Sequence, residues 1–535
     1  MKNKFIEFIT KYDILYIFII LIFAISGFIL FYGNIYSPYS DIGREFYAAQ
    51  QITNGNILYK DIFNVYAPLG YQINAIALLM FGNKLNTFYL AGFTGALANV
   101  FAIFFIAKEY TNKNTAISLS LFILSSCVFF PSISNYITPY SYSIVYAAAA
   151  FLWALYFFVK FIKTSKLFFL FLSCILTGFS AACKYEFSGF IIVIFLYLIY
   201  TKTSFKNLFF ALFSMLIFPV ISVLLLFAGN ISINDLILGI KYMIMLSKSF
   251  SVQFFYYYSG FIPSSGSLKN ALLSILYPHF PTLFNSFGYL ISIIFLYSAF
   301  KTIFKRNTPD KDEICILVLI TSAFAVSIKC IGCISLEIYG TYFLPVILTA
   351  VITIIYKKFP KSHQILSIIC LLLFISYSIY DINCSKNFKE VETQKGIIKI
   401  NNIFYDSTKE LISYIKNNTK SSDKILILPE GSLINYLTGR NSDKRYYYLI
   451  PPNVEIFTQE EIIQDLNNKN TEYIIISNLQ YQWFNQSSFY KSWGKDIFEF
   501  IKKKYILECI IGEKFKLYVY KNPEKVQTVT LSEAI

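Results

Sequence analysis

The sequence predicts an all-α polytopic membrane domain of about eleven transmembrane helices, followed by a small C-terminal α/β extracytoplasmic domain. Three observations predict it. Of 535 residues, 56% are hydrophobic and only 14% are charged, against about 25% charged in a soluble protein. Apolar runs of about 18–22 residues recur, and each can cross a hydrocarbon core of about 30 Å as a helix. From residue 382 onward these runs stop, and helix-like and strand-like patterns alternate instead.

The expected spans lie near 13–33, 86–107, 114–133, 141–159, 167–183, 187–200, 207–228, 285–300, 313–328, 336–356 and 364–381. The first is too long for a cleaved signal peptide and lacks a small-residue cleavage site, so it reads as a retained signal anchor. With these spans, 17 of the 25 Lys and Arg residues before residue 382 fall on one side. They include Lys2, Lys108, Lys113, Lys160, Lys163, Lys202, Lys311, Lys357 and Lys358. The positive-inside rule makes that side, and the N-terminus, cytoplasmic. A multi-pass protein of the plasma (inner) membrane is expected, with its C-terminal domain outside. The net charge of +15 is thereby spent on loop orientation and gives no indication of nucleic-acid binding.

Three outer segments are long: 34–86, 229–284 and the tail from Ile382. The division is 1–381 as the membrane domain and 382–535 as the soluble domain. In the first loop, Asp41–Thr53 is an amphipathic helix, and Leu69–Phe81 is an apolar helix too short to span that lies at the interface. In the tail, Ser407–Lys416 and Gln459–Asn467 read as helices. Lys424–Leu428, Tyr473–Ser477 and Phe515–Tyr520 are β-branched or aromatic runs that read as strands.

Polar chemistry concentrates in the first outer loop. Asp41 and Glu45 are four apart and share a helix face. Arg44 lies beside them and is one of only four arginines in the chain. A carboxylate at the water–lipid boundary can act as general base on a hydroxyl, and a guanidinium can stabilise a phosphate leaving group. The same residues allow a plainer account, in which Asp41 caps its helix and Arg44 and Glu45 form a solvated face.

The loop contains Asp41-Ile42-Gly43, Ala49-Gln50-Gln51-Ile52, Asn54-Gly55, Tyr59-Lys60-Asp61-Ile62-Phe63, Pro68 and Phe81-Gly82. In this order it resembles the polyprenyl-phosphate-sugar-dependent membrane glycosyltransferases of the GT-C superfamily, which include protein O-mannosyltransferases and the lipid A aminoarabinose transferase. Shorter echoes of that family are Gly178–Lys184, Tyr339–Pro345 and Tyr436–Arg440. The resemblance implies a glycosyltransferase that moves a sugar from a polyprenyl-phosphate donor to a lipid, glycan or protein acceptor, with inversion. It implies Asp41 as the catalytic residue activating the acceptor hydroxyl, with Glu45, Asp61 and Tyr59 positioning donor or acceptor.

The aminoarabinose branch has a lysine before its proline pair, where this chain reads Ala67-Pro68. Phosphate binding then falls to Arg44, Lys184 and Lys329, although Lys184 could equally form a simple pair with Glu186. No metal ligand set is expected: Cys330 and Cys333 have CxxC spacing but no partner pair, and His279 and His363 are the only histidines. A divalent cation held by Asp41 and Asp61 stays an alternative, and no other cofactor is implied. Cys384 and Cys509 could form a disulfide on an oxidising side. Other readings of the chain are a lipid or polysaccharide flippase or transporter, or a non-catalytic envelope-assembly scaffold. Against transport, the spans carry almost no central charges and no duplicated halves.

Overall fold

A computed structural model describes residues 13–523, except for 263–268, 270–271, 274–283, 305–308, 338, 443 and 469–470. Every expected span is occupied by an apolar helix. They are α1 (Ile14–Leu30), α4 (Leu85–Tyr110), α5 (Lys113–Ile123), α6 (Tyr142–Thr164), α7 (Leu167–Cys183), α8 (Gly189–Tyr200), α9 (Phe205–Ala228), α12 (Asn285–Phe304), α13 (Lys311–Ser327), α14 (Leu344–Lys358) and α15 (His363–Ser385). Between them, the first outer loop forms α2 (Ile42–Thr53) and α3 (Leu69–Phe81), and the second forms α10 (Ile233–Lys248) and α11 (Phe250–Ser259). Five helical segments among the described residues are long and apolar enough to cross a membrane by length and composition. The chain is a membrane protein.

Burial follows from a lipid solvent. Helices α4 and α6 sit inside the bundle, with Asn99 of α4 donating to the carbonyl of Val145 at 3.1 Å. By contrast, α9 and α15 turn Phe205, Phe213, Ile365 and Leu372 outward, where hydrocarbon would cover them. The end of α3 likewise exposes Leu79, Met80 and Phe81, as expected of a helix lying at an interface.

The lysines assigned by sequence to one side do meet in space. Lys113 pairs with Asp13 at 2.7 Å, and Lys108 pairs with the same carboxylate. Lys160 and Lys163 close on Glu109 at 2.6 and 3.0 Å, and the Lys311 ammonium reaches the carbonyl of Lys163.

Boundaries shift in three places. The span expected at 114–133 leaves α-geometry in a π-turn at Leu124–Val128. The helix expected from 336 begins only at Leu344, where Pro345 occupies the first turn, a position that tolerates its missing N–H. The last apolar helix runs on to Ser385, past its expected end at 381.

The tail contains β2 (Phe388–Thr393), β3 (Gly396–Asn401), α16 (Asn402–Asn418), β4 (Ile425–Leu428), α17 (Ser432–Thr438), α18 (Pro451–Phe457), α19 (Gln459–Asn468) and β5 (Tyr473–Ser477). It ends with β6 (Gln480–Tyr481), β7 (Gln486–Ser488), α20 (Lys495–Lys504), β8 (Ile506–Ile511) and β9 (Leu517–Lys521). The main sheet has order β4-β5-β9-β8, with β4 and β5 parallel and the remaining pairs antiparallel. Strands β4 and β5 are buried on both faces, which is why they read as unbroken Ile and Leu runs.

The tail is joined to the first outer loop by backbone and by core. A short strand, β1 (Asn34–Ile35), pairs in parallel with Lys399–Ile400 of β3. Ile42, Phe46 and Ala49 of α2 enter one hydrophobic cluster with Leu433, Ile434 and Tyr436 of α17 and Ile427 of β4. Helix α2 is therefore clamped between Phe88 and Tyr142 of the helical bundle and the tail elements α17 and β4.

Candidate active site

The first turn of α2 is where this clamp is tightest. A Cβ placed on Gly43 would stand 2.5 Å from the backbone N of Leu433, so only glycine lets α2 approach α17 this closely. Asp41, two residues earlier, has helical angles (φ −49°, ψ −29°) and its side chain makes no cap hydrogen bond. Its carboxylate instead forms an ion pair with Arg44 one turn on, and 34% of its side chain remains open to solvent. Arg44 is held more firmly, with 7% exposure and its guanidinium 4.5 Å from the Tyr448 ring and 5.8 Å from the Tyr66 ring. Such stacking suits a planar, weakly hydrated cation.

A second carboxylate closes the arrangement from the tail. Glu430, just after β4, brings Oε1 to 3.8 Å from Arg44 Nε, and its Oε2 accepts from the Tyr481 hydroxyl at 2.5 Å. Burial, then the nearby charge of Asp41, pushes the Glu430 carboxyl up to about 8, against the opposing pull of Arg44.

Glu45 lies one helical turn deeper. Asn74 of α3 donates to its Oε2 at 3.5 Å and is itself held by the Tyr146 hydroxyl at 2.7 Å. Burial raises Glu45 to about 7, and hydrogen bonds from Ser141 and Tyr71 and the charges of Lys184 and Arg44 only partly offset it. The folded state therefore binds a proton that an unfolded carboxyl near 4.5 would release. Its stabilising contribution is complete below the unfolded value and is lost as pH rises through the folded one. Thermal unfolding of the purified protein in detergent should show stability falling between about pH 4.5 and 7, and Glu45→Gln should flatten that slope.

Lys184 leaves the end of α7 in extended conformation and is buried. Its ammonium sits 4.7 Å from the centre of the Tyr66 ring and 5.8 Å from that of Tyr339. Glu186 takes a different cation, Lys329, at 3.9 Å. Lys329 also donates to the Tyr256 hydroxyl at 3.1 Å. Tyr66 thus lies near both Arg44 and Lys184, and Tyr339, also near Lys184, neighbours Glu186, the partner of Lys329.

The structure brings Asp41, Arg44 and Lys184 together near Tyr66, with Glu45 within electrostatic reach of Arg44 and Lys184, and Lys329 held separately by Glu186. Tyr59 and Asp61 face elsewhere. Tyr59, at φ 72°, donates its hydroxyl to the Tyr66 carbonyl at 2.6 Å and its own carbonyl accepts from Arg445, so it braces the loop that carries Tyr66. The exposed Asp61 accepts from the Ile57 N–H at 2.9 Å and closes its own turn. Asp41 and Asp61 have different partners, and no cluster of three or more His, Cys, Asp or Glu suited to a metal occurs among the described residues. Cys384 and Cys509 are free thiols, and His279 lies outside the described residues.

Glu430, Tyr66, Tyr448 and Tyr481 were not singled out by sequence. Three of the four come from the tail, and one tyrosine among 43 carries no mark of its own.

No protein-family model matches the chain, and no curated protein matches it in sequence. Among solved structures, it is similar to the archaeal oligosaccharyltransferase AglB from Archaeoglobus fulgidus, solved with an inhibitory peptide and a dolichol-phosphate. That match has 13% identity and a TM-score of 0.47 over 88% of this chain and 70% of that one. It is also similar to ArnT from Cupriavidus metallidurans bound to undecaprenyl phosphate, with 9% identity and a TM-score of 0.48 over 95% of this chain and 98% of that one.

Proposed function

We propose that the chain is a membrane glycosyltransferase that moves a sugar from a polyprenyl-phosphate donor to a lipid, glycan or protein acceptor on the outer face of the membrane. The observation that carries this reading is the composition of the Asp41 site. A part-exposed carboxylate stands beside a buried guanidinium and a buried ammonium at the rim of an apolar bundle. A base alone would suit many hydrolases. A base with two cations nearby suits a lipid-linked anion that must leave.

In this mechanism Asp41 takes the proton of the acceptor hydroxyl as its oxygen attacks the anomeric carbon. The bond from that carbon to the phosphate oxygen breaks, and polyprenyl phosphate leaves with the electron pair. Attack opposite the leaving group inverts the anomeric centre. Arg44 and Lys184, with Lys329 beyond Tyr339, offset the charge that grows on the phosphate. Glu45, whose carboxyl burial raises to about 7, carries less negative charge beside Asp41 than an ordinary carboxylate would.

The test is transfer by the purified full-length protein given a lipid extract of its native membranes. Release of free polyprenyl phosphate together with a glycosylated product, both read by mass spectrometry, is the expected result. Movement of labelled lipid across proteoliposomes with no covalent product would overturn the reading in favour of transport.

A further inference from the structure

The tail contributes one charged group to this site, and its bonding is incomplete. Glu430 Oε2 is satisfied by Tyr481, whereas Oε1 is buried without a hydrogen-bond partner. Arg44 Nε, 3.8 Å from it, is also buried and without a hydrogen bond. The groups around Glu430 are Asp41, just before α2, Arg44 from α2, Tyr66 from the first loop and Tyr481 from β6. Arg44 is the one cation in that set, and it is already paired with Asp41.

Two ionised carboxylates would share a single guanidinium in a closed seam, which like-charge repulsion and desolvation both disfavour. A neutral Glu430 removes the conflict and gives its second oxygen a hydroxyl to donate, with the Asp41 carboxylate as the acceptor facing it. A hydrogen bond from a neutral acid to a carboxylate is charge-assisted and directional.

Resting on the glycosyltransferase reading of Asp41, we propose that Glu430 completes the site as its positioning residue. In its neutral acid form it donates to Asp41 and fixes the direction of the Asp41–Arg44 pair. The tail is then part of the catalytic apparatus as well as a surface for the acceptor. Docking of the tail onto the first loop aims the base, and loss of the Glu430 proton leaves two opposed charges that push Asp41 out of line.

The experiment compares Glu430→Gln and Glu430→Ala in the full-length protein. An amide keeps both a donor for Asp41 and an acceptor for Tyr481 but cannot ionise, so Glu430→Gln should retain transfer within about three- to tenfold of wild type. Glu430→Ala should lose more than that. Wild-type activity should fall on the alkaline side around pH 8, and that limb should vanish in Glu430→Gln.

An infrared difference spectrum of wild type minus Glu430→Gln at neutral pH should show the carbonyl stretch of a protonated carboxylic acid. Equal losses in both variants, an unchanged alkaline limb, or absence of that band would overturn the proposal. The band needs no substrate. A wild-type protein that shows the band yet transfers no sugar would sink the functional reading while leaving the Glu430–Asp41 pairing intact.

Discussion

Asp41→Asn is expected to lower sugar transfer by about 10²–10⁴-fold, the usual contribution of a positioned general base, with expression close to wild type and a smaller loss of thermal stability than Arg44→Met. The reason for so selective a loss lies in what the side chain does. It forms no helix cap, so its replacement costs α2 nothing at its N-terminus. It faces water over a third of its surface, so the amide meets no desolvation penalty that the carboxylate escaped. Asparagine can still accept from Arg44, which holds the helix turn in place. What it cannot do is take a proton. Polyprenyl phosphate released from the native lipid extract is the measurement, and a full rate in the variant would remove Asp41 from the mechanism.

Arg44→Met should fail differently, through structure as well as chemistry. Removal of the guanidinium leaves Asp41 and Glu430 without their shared cation and uncovers the faces of Tyr448 and Tyr66. Breaking a buried pair by deleting one partner typically costs about 3–5 kcal/mol. The lower end applies here because Asp41 is partly solvated and Glu430 can stay protonated. A lowered unfolding temperature and new protease cleavage at the seam between the first loop and the tail are the expected readouts. Arg44→Lys should restore the charge but neither the stacked plane nor the fork, and should recover little activity. Rescue by lysine would show that Arg44 acts only as a point charge.

How much could be read from the sequence depended on the range of the interaction. The apolar helices are local objects, and hydropathy finds a helix at each expected segment, five of them among the described residues long enough to cross a membrane. Helix α3 forms over Leu69–Phe81 as expected, and α2 begins one residue later than expected. Strands β4 and β5 announced themselves as Ile-rich runs buried on both faces. Strands β2 and β3 did not: Phe388–Thr393 mixes Lys, Glu and Thr and keeps most of its surface exposed.

At the site, the same rule holds. Asp41, Arg44 and Glu45 are neighbours on one helix, so spacing could join them. Glu430 reaches them only because α17 packs on Gly43, a contact that no local pattern encodes. Tyr59 and Asp61 share the loop's motif but are turned back on it by their own hydrogen bonds, a decision made by backbone geometry rather than residue type.

The parallel pairing of Asn34 with Lys399 also sets a timetable for biogenesis. At about 5–20 residues per second, a ribosome that has made Asn34 needs roughly 20–70 s to reach its partner. Throughout that interval the nascent loop holds an unfilled strand edge and an apolar helix face with nothing to cover it. Chains that stop short of β3 would carry Asp41 yet lack the strand that ties its loop to the tail. That join becomes available only once about three-quarters of the 535 residues have been translated.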